Sequence, residues 1–432
     1  MKSHLTRRRF LRQAALGAVA AATGPLVVRA AGRLQSPNEK LNVALIGCGG
    51  RGAANLEGVR GENVVALCDV DERRAADTFK KYAGVKKFRD FRKMLDTMDG
   101  QIDAVVVSTP NHIHVPASVT AMRMGKHCYC EKPLAHSVHE ARLAAQVAAE
   151  QGVATQMGTQ IHAESNYRRV VELVRSGAIG PVSECHVWIG PGPGGLDRPV
   201  QTPPVPPDLD WDLWLGPAPF RPYHPCYVPH DWHYWWDFGG GRLGNFGCHY
   251  MDLPFWALDL RHPVEVQAEG PPAHAESTPK EITVRYEFAA REKMPPLTLF
   301  WRQGDPLKIL DENGLPKWAA GVLFVGSQGF LQADYTKRIL FPEARFADFQ
   351  PPDPTIPDSV GHHREWIEAC KTGSPTTCHF GYSGALTETV LLGNVAYRLG
   401  QKVQWDAENL KALGCPDADQ YVRREYRDGW TL

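Results

Sequence analysis

The sequence predicts an α/β chain of two domains: a doubly wound parallel sheet over residues 38–158, then an α+β domain with an open, mainly antiparallel sheet over 159–432. Three observations carry this. Short continuous apolar runs alternate with helical stretches through the first part, as buried parallel strands between covering helices do. A glycine-rich turn, Gly47-Cys48-Gly49-Gly50-Arg51-Gly52, stands between the first run and its helix. Past Gly158 the runs alternate polar and apolar residues, the mark of strands with one buried and one solvated face.

The elements follow in order. Residues 41–46 read as a buried strand, 53–59 as a helix, and 63–68 as a second strand ending on Asp69. A polar helix runs to about Tyr82, followed by a helix at 91–98, a strand at 103–108 and a helix at 115–124. A strand at 127–130, a helix at 138–150 and a strand at 153–157 complete the first domain. Beyond it come a helix at 167–176 and a strand at 182–189. The stretch 190–238 is rich in Pro, Gly and aromatics and has little periodicity. Alternating strands follow at 282–288, 297–301, 321–325 and 330–333, then helices at 364–371 and 384–398, the pattern closing at Trp405-Asp406.

The glycine turn is the chemical centre of the first domain. Strand, glycine turn, helix, strand and acid form one βαβ unit of the Rossmann kind, built to hold a dinucleotide. Gly47 allows the tight turn, Gly49 or Gly50 lets backbone approach a pyrophosphate, and Gly52 lets helix pack on strand. Cys48 and Arg51 belong to the same cradle, whose free amides at a helix start suit phosphate. Asp69 stands where a carboxylate can accept from both ribose hydroxyls and repel a 2′-phosphate. NAD is therefore expected over NADP, which Arg73 and Arg74 keep open.

Composition excludes several classes. Lys+Arg and Asp+Glu are both 48, so no net charge or basic stripe argues for nucleic acid or an anionic membrane. The ten cysteines do not read as a disulfide frame, and without a Cys-x-x-Cys pair zinc is not expected. Residues 1–30 read as a targeting segment outside the fold. Thr6-Arg7-Arg8-Arg9-Phe10-Leu11-Arg12 is a twin-arginine pattern, a mild apolar stretch follows over 14–28, and Val28-Arg29-Ala30 offers a cleavage site. Export by the twin-arginine machinery to the periplasm or cell envelope is expected, of a chain already folded around its nucleotide. Free NAD is scarce outside the cell, so the cofactor should be held tightly and regenerated within the cycle or by a second substrate.

Ligands of open α/β sheets sit beyond the carboxyl ends of the strands. Two such ends stand out: Ser108-Thr109-Pro110-Asn111-His112-Ile113-His114, and Glu131-Lys132-Pro133. Ser108, Thr109, Pro110, Asn111 and His114 offer polar groups to a nicotinamide ribose, with Glu131 and Lys132 beside them. His112 and His114 lack a third ligand at useful spacing, so no metal is expected.

These segments, with Gly125-Lys126-His127-Cys128-Tyr129-Cys130 before the Glu-Lys-Pro tripeptide and a later Gly-rich histidine segment, resemble the glucose–fructose oxidoreductase / inositol dehydrogenase (Gfo/Idh/MocA) family, in its exported bacterial branch. The resemblance runs from about Leu41 to Trp405 and implies an NAD(P)-dependent oxidoreductase acting on CH–OH groups. It implies that Lys132 lies beside the nicotinamide and the substrate hydroxyl, followed by a cis proline. Burial can lower the pKa of such a lysine, and Glu131 is a candidate to fix it.

The histidine segment is Gly239-Gly240-Gly241-Arg242-Leu243-Gly244-Asn245-Phe246-Gly247-Cys248-His249-Tyr250-Met251-Asp252, glycines giving way to a helix through Leu258. Asn245, His249 and Asp252 are spaced to share one face. His249 is the candidate to exchange a proton with a substrate hydroxyl, while Asp252 either orients its ring or faces solvent. Many family members carry aspartate at Asn245, and an amide cannot take a proton, so acid–base work falls on Lys132 and His249. Ten aromatics between Trp211 and Phe238 offer a platform for a pyranose, Trp236 among them, or a core or interface of their own. A homo-oligomer is expected, and Arg168 is a candidate to reach the cleft.

The reading is hydride transfer between a tightly held nicotinamide and a sugar, polyol or glycoside, with Lys132, Asn245 and His249 at the reacting carbon. Two alternatives stay open. One is an NAD-dependent glycosidase or lyase working by transient oxidation and elimination; the other is a non-catalytic sugar-binding protein on the same fold.

Overall fold

The computed structural model describes residues 39–432 except 293, 305 and 306, so the targeting segment expected at 1–30 lies outside the described residues. The first sheet is parallel, in the order β3-β2-β1-β4-β5-β6. Its strands are β1 Asn42–Ile46, β2 Asn63–Cys68, β3 Lys86–Phe88, β4 Ala104–Val107, β5 His127–Cys130 and β6 Thr155–Met157. Helices α1 Arg51–Val59, α2 Glu72–Lys81, α3 Phe91–Met98, α4 Asn111–Arg123 and α5 Val138–Gln151 alternate with them. Chain order reverses at β1, flanked by β2 and β4, which creates a crevice beyond its carboxyl end.

Both faces of this sheet are covered, which is why β1 and β4 are almost uninterrupted apolar runs. Ala44, Ile46, Val105 and Val107 point into one core, and Val43, Leu45, Ala104 and Val106 into the other. The second core is closed by Trp366 and Cys370 of a much later helix, α10 (His362–Thr372), which packs against α1. The long helix α11 (Phe380–Leu399) lies along α5. There Gly384 approaches Ala141 and Ala145 so closely that a Cβ would stand 3.1 Å from both, and Arg142 pairs with buried Glu388 at 2.9 Å.

The second sheet runs β13-β12-β11-β7-β10-β9-β8-β14-β15. Its strands are β7 Val182–Ile189, β8 Glu265–Glu269, β9 Ile282–Phe288, β10 Leu297–Gln303, β11 Ala320–Gly326, β12 Gly329–Ala333, β13 Arg338–Phe341, β14 Val403–Asp406 and β15 Lys411–Leu413. Among the described residues the neighbours pair antiparallel except β7 with β10, so the sheet is mixed. Strand β10 alternates buried and half-buried positions along its length, as one-sided burial requires.

Four further helices are α6 (Ser165–Arg175), the short α7 (Trp211–Leu215), α8 (Gly241–Tyr250) and α9 (Asp252–Ala257). The one helix expected up to Leu258 is two. Pro254 has no N–H to give Tyr250, so the helix restarts after Met251. The aromatic segment forms a core of its own around Trp211, Trp214, Tyr227, Trp232, Trp235 and Phe238. Trp211 and Trp214 stack at 4.7 Å, and Tyr227 meets Trp235 edge-on at 5.2 Å. The ten cysteines are unpaired, eight buried and two half-buried. No helix among the described residues is long and apolar enough to cross a membrane.

Candidate active site

A cleft of about 420 Å³ opens where the first sheet's strand ends face α8 and the aromatic segment. Its floor is the glycine turn. Gly47 has φ +85°, and a Cβ there would stand 2.6 Å from the Ser108 carbonyl oxygen. Gly52 lies tighter still, its Cβ falling 2.0 Å from the Gly47 carbonyl oxygen, so α1 packs on β1 only with glycine at this position. Helix α1 starts at Gly50 without a side-chain cap, which leaves amide donors at its N-terminus. Arg74 reaches over Gly49 and Gly50 from α2.

At the end of β2 the Asp69 carboxylate accepts from the amides of Cys48 at 2.7 Å and Asp71 at 3.0 Å. Burial raises its pKa, and these two amides oppose the rise. An uncapped helix start, a turn of glycines and an anchored acid one strand away fit a dinucleotide. Gly47, Gly49, Arg51, Asp69 and Ser108 line the cleft, and so do Thr109, Pro110, Asn111, His114, Glu131 and Lys132. Cys48, Gly50 and Gly52 shape the turn without lining it, the Cys48 thiol being turned into the core.

The opposite wall brings Lys132, Asn245 and His249 together. Lys132 Nζ donates to Asn245 Oδ1 at 2.6 Å and to the Asn245 main-chain oxygen at 2.8 Å. Burial lowers the Lys132 pKa, with the charge of Glu131 working the other way. The Lys132–Pro133 peptide is cis. His249 Nδ1 is buried and has no hydrogen-bond partner among the described residues. Its pKa lies well below the usual histidine range, first from burial and then from the positive charge of Lys132. Both effects favour the neutral imidazole, whose Nδ1 faces no competing partner among the described residues.

The strand-end loops are tied to each other from beneath. His114 spans from the Pro133 oxygen at 2.7 Å to the Thr109 oxygen at 2.8 Å, linking the β4 and β5 turns. Burial pushes this ring towards its neutral form, which has one N–H for two acceptors. Glu131 is not the partner of Lys132. Its Oε1 accepts from Asn55 at 3.0 Å and Gln160 at 2.8 Å, with Arg51 at 3.9 Å.

Comparison with known proteins decides the family. The profile described as "Oxidoreductase family, NAD-binding Rossmann fold" of the Gfo/Idh/MocA type matches residues 41–159, and that of the family's C-terminal α/β domain matches 187–293, together more than half of the chain. The chain belongs to the Gfo/Idh/MocA oxidoreductase family. It is similar to inositol 2-dehydrogenase of Rubrobacter xylanophilus, 30% identical over 152 residues, 34% of this chain and 43% of that one. It is also similar to inositol 2-dehydrogenase 2 of Saccharopolyspora erythraea, 32% identical over 152 residues, 34% of this chain and 44% of the other. The matches thus span less than half the length of these curated relatives. In fold it resembles the WlbA dehydrogenase of Chromobacterium violaceum, solved with NADH and UDP-GlcNAcA, at TM-score 0.62 and 18% identity, covering 86% of this chain and 98% of that one.

Within this Gfo/Idh/MocA site some expected residues are absent. Arg168 is turned away: its guanidinium donates to the Pro357 oxygen at 2.7 Å and lies 5.6 Å from the Trp256 ring. Trp236 faces a separate cavity, its indole N–H on the His274 oxygen at 2.9 Å and its ring under Arg398. Asp252 neither orients His249 nor faces solvent. It is fully buried, accepting from His162 Nδ1 at 2.8 Å and Tyr382 Oη at 2.6 Å. Cys378 joins His162 and Asp252 with ligand-type atoms within 4.8 Å of one another.

Further residues line the cleft, Trp214 and Trp232 from the aromatic segment that the sequence offers as a platform and others outside that expectation. His233 stacks on Trp232 at 3.6 Å, and burial brings its pKa down to about 4. Both lie in the aromatic segment, where interleaved histidines were the available signal. Trp214 lines the cleft from the same segment, while Phe91 and Trp430 do so from outside it.

Proposed function

We propose that the chain transfers hydride between NAD and a carbinol carbon of a sugar, polyol or glycoside. The observation that carries this reading is the meeting of Lys132, Asn245 and His249 in the cleft floored by the glycine turn. When bound, the nicotinamide supplies the hydride acceptor. Lys132, fixed by two oxygens of one asparagine, presents a positive charge to the substrate hydroxyl and favours its ionisation. The neutral His249, with Nδ1 unpaired among the described residues, takes the proton. Trp232 and His233 give the sugar an aromatic face with a polar edge. The dehydrogenases similar to this chain act, by their names, on inositol, and the WlbA structure holds a nucleotide sugar.

Asn245 is built into the lysine's coordination, which supports a working variant over an idle relic. We also propose export by the twin-arginine route, supported by Arg7, Arg8 and the apolar stretch behind them, with the cofactor carried out already bound. The test is spectroscopic. Purified protein loaded with NAD is mixed with a panel of sugars, sugar acids and inositols, and absorbance in the NADH band is followed. At least one polyol should give reduction. Binding of sugars with no reduction by any would overturn the reading, and aglycone release without net reduction would point to elimination instead. For export, a reporter fused behind residues 1–38 should leave the cytoplasm, and Arg7→Lys with Arg8→Lys should retain it.

A further inference from the structure

The end of the cleft remote from Lys132 is walled by a residue that belongs to neither matched domain. In the sheet order, β2 and β5 are separated by β1 and β4, so Asp69 and Lys132 stand roughly 14 Å apart across the strand ends. Around the Asp69 end the cleft is lined by Val70, Arg74, Asp90, Phe91 and Trp430. Trp430 is only 9% exposed, and its ring lies 5.9 Å from Phe91. The Arg92 guanidinium sits 4.1 Å over the indole and donates to the Gly429 oxygen at 3.2 Å, while Asp90 holds its other nitrogens at 3.0 and 2.8 Å.

The segment reaching Trp430 is anchored at its other end to α7. Arg427 donates to the Gly216 oxygen at 2.5 Å, and to the Asp212 side-chain and main-chain oxygens at 2.6 Å each. Trp214 of α7 lines the same cleft. Residues 427–430 thus run from the aromatic segment to the start of α3, bridging two walls of one crevice.

We propose that Trp430 is a nucleotide-contact residue on the adenosine side of the cleft, and that residues 427–430 act as a clasp that slows release of the dinucleotide. This rests on the NAD reading of the cleft and adds to it a flat apolar wall at its Asp69 end. Such a wall suits a purine, whose face stacks on an aromatic ring.

Binding tests it directly. The full chain, stripped of nucleotide, is titrated with NADH, with nucleotide fluorescence and energy transfer from tryptophan as readouts, and release is timed by displacement with excess NAD. Trp430→Ala should weaken NADH binding by about tenfold or more, since stacking of a base on an aromatic ring is worth that much. Trp430→Phe should restore most of the affinity while losing part of the sensitised emission. Arg427→Gln, which cuts the anchor and leaves the wall in place, should speed release. Unchanged affinity and release rate in both Trp430→Ala and Arg427→Gln would overturn the proposal with the NAD reading intact. A wild-type chain that binds no nucleotide at all would overturn both.

Discussion

Lys132 places its ammonium on both oxygens of a single residue, Asn245, at 2.6 and 2.8 Å. A carboxylate in that position would neutralise the lysine; the amide holds it without cancelling its charge. The uncancelled charge then bears on His249, whose pKa it helps to lower.

Asn245→Asp should therefore move the pH profile. A carboxylate so close favours the charged forms of Lys132 and His249, so both pKa values rise. His249 must be neutral to take a proton, so the acidic limb of kcat against pH should shift upward by about one pH unit or more. An unmoved limb would remove His249 from the acid–base step.

Lys132→Ala should lower kcat by about a hundredfold or more with NADH affinity retained, because the side chain faces the substrate end of the cleft and the glycine turn is untouched. Single-turnover reduction of bound nucleotide is the measurement. Full turnover in this variant would take Lys132 out of the chemistry.

Gly52→Ala puts a methyl group 2.0 Å from the Gly47 carbonyl oxygen, and overpacking of that kind costs about 1–3 kcal/mol. A lower urea midpoint and weaker nucleotide binding should appear together. Gly61→Ala, with nothing within 4 Å of the added atom, is the control and should change neither.

Asp252→Asn should cost about 1–3 kcal/mol of stability, since it disturbs a buried site shared by His162 and Tyr382. Activity per folded molecule should stay near wild type, because Asp252 does not line the cleft. A selective loss of kcat with stability intact would restore the catalytic role that its spacing from His249 invites.

Acid should unfold the chain through its buried histidines. Burial brings His112 and His362 from about 6.5 to about 3 in the fold. Between those values the unfolded chain binds more protons than the folded one, so stability is full above the unfolded pKa and falls as pH drops towards 3. His112→Gln removes one such group, and its urea midpoint should fall less steeply between pH 7 and pH 4 than that of the wild type.

The parts of this molecule legible in its sequence are those that local chemistry dictates. A buried parallel strand must be a largely apolar run, so 63–68 and 127–130 read with the bounds the structure gives, and 182–189 of the second sheet does too. The glycine turn and the Lys132 strand end follow from the same βαβ logic. What did not follow was direction and distance. Arg168 sits on a helix near the sheet, but helical periodicity cannot say whether its face looks at the cleft or at Pro357. Asp252 was placed by counting residues along one helix, and Pro254 broke the count. Trp236 shares a tripeptide of aromatics with Trp235 and Tyr234, and only the path of the chain selects which ring meets which cavity. Trp430 has no neighbour in sequence that signals a ligand.

The arrangement of α10 and α11 has a consequence for biogenesis. The parallel sheet precedes the second sheet along the chain, yet Trp366 and Cys370 of α10, which close its second core, come more than two hundred residues after β6. A nascent chain halted near residue 158 would lack part of the cover over the core around Val43, Leu45 and Val106. The crevice for the nucleotide, lined at one end by Trp430, thus reaches its finished shape only once nearly the entire polypeptide has been made.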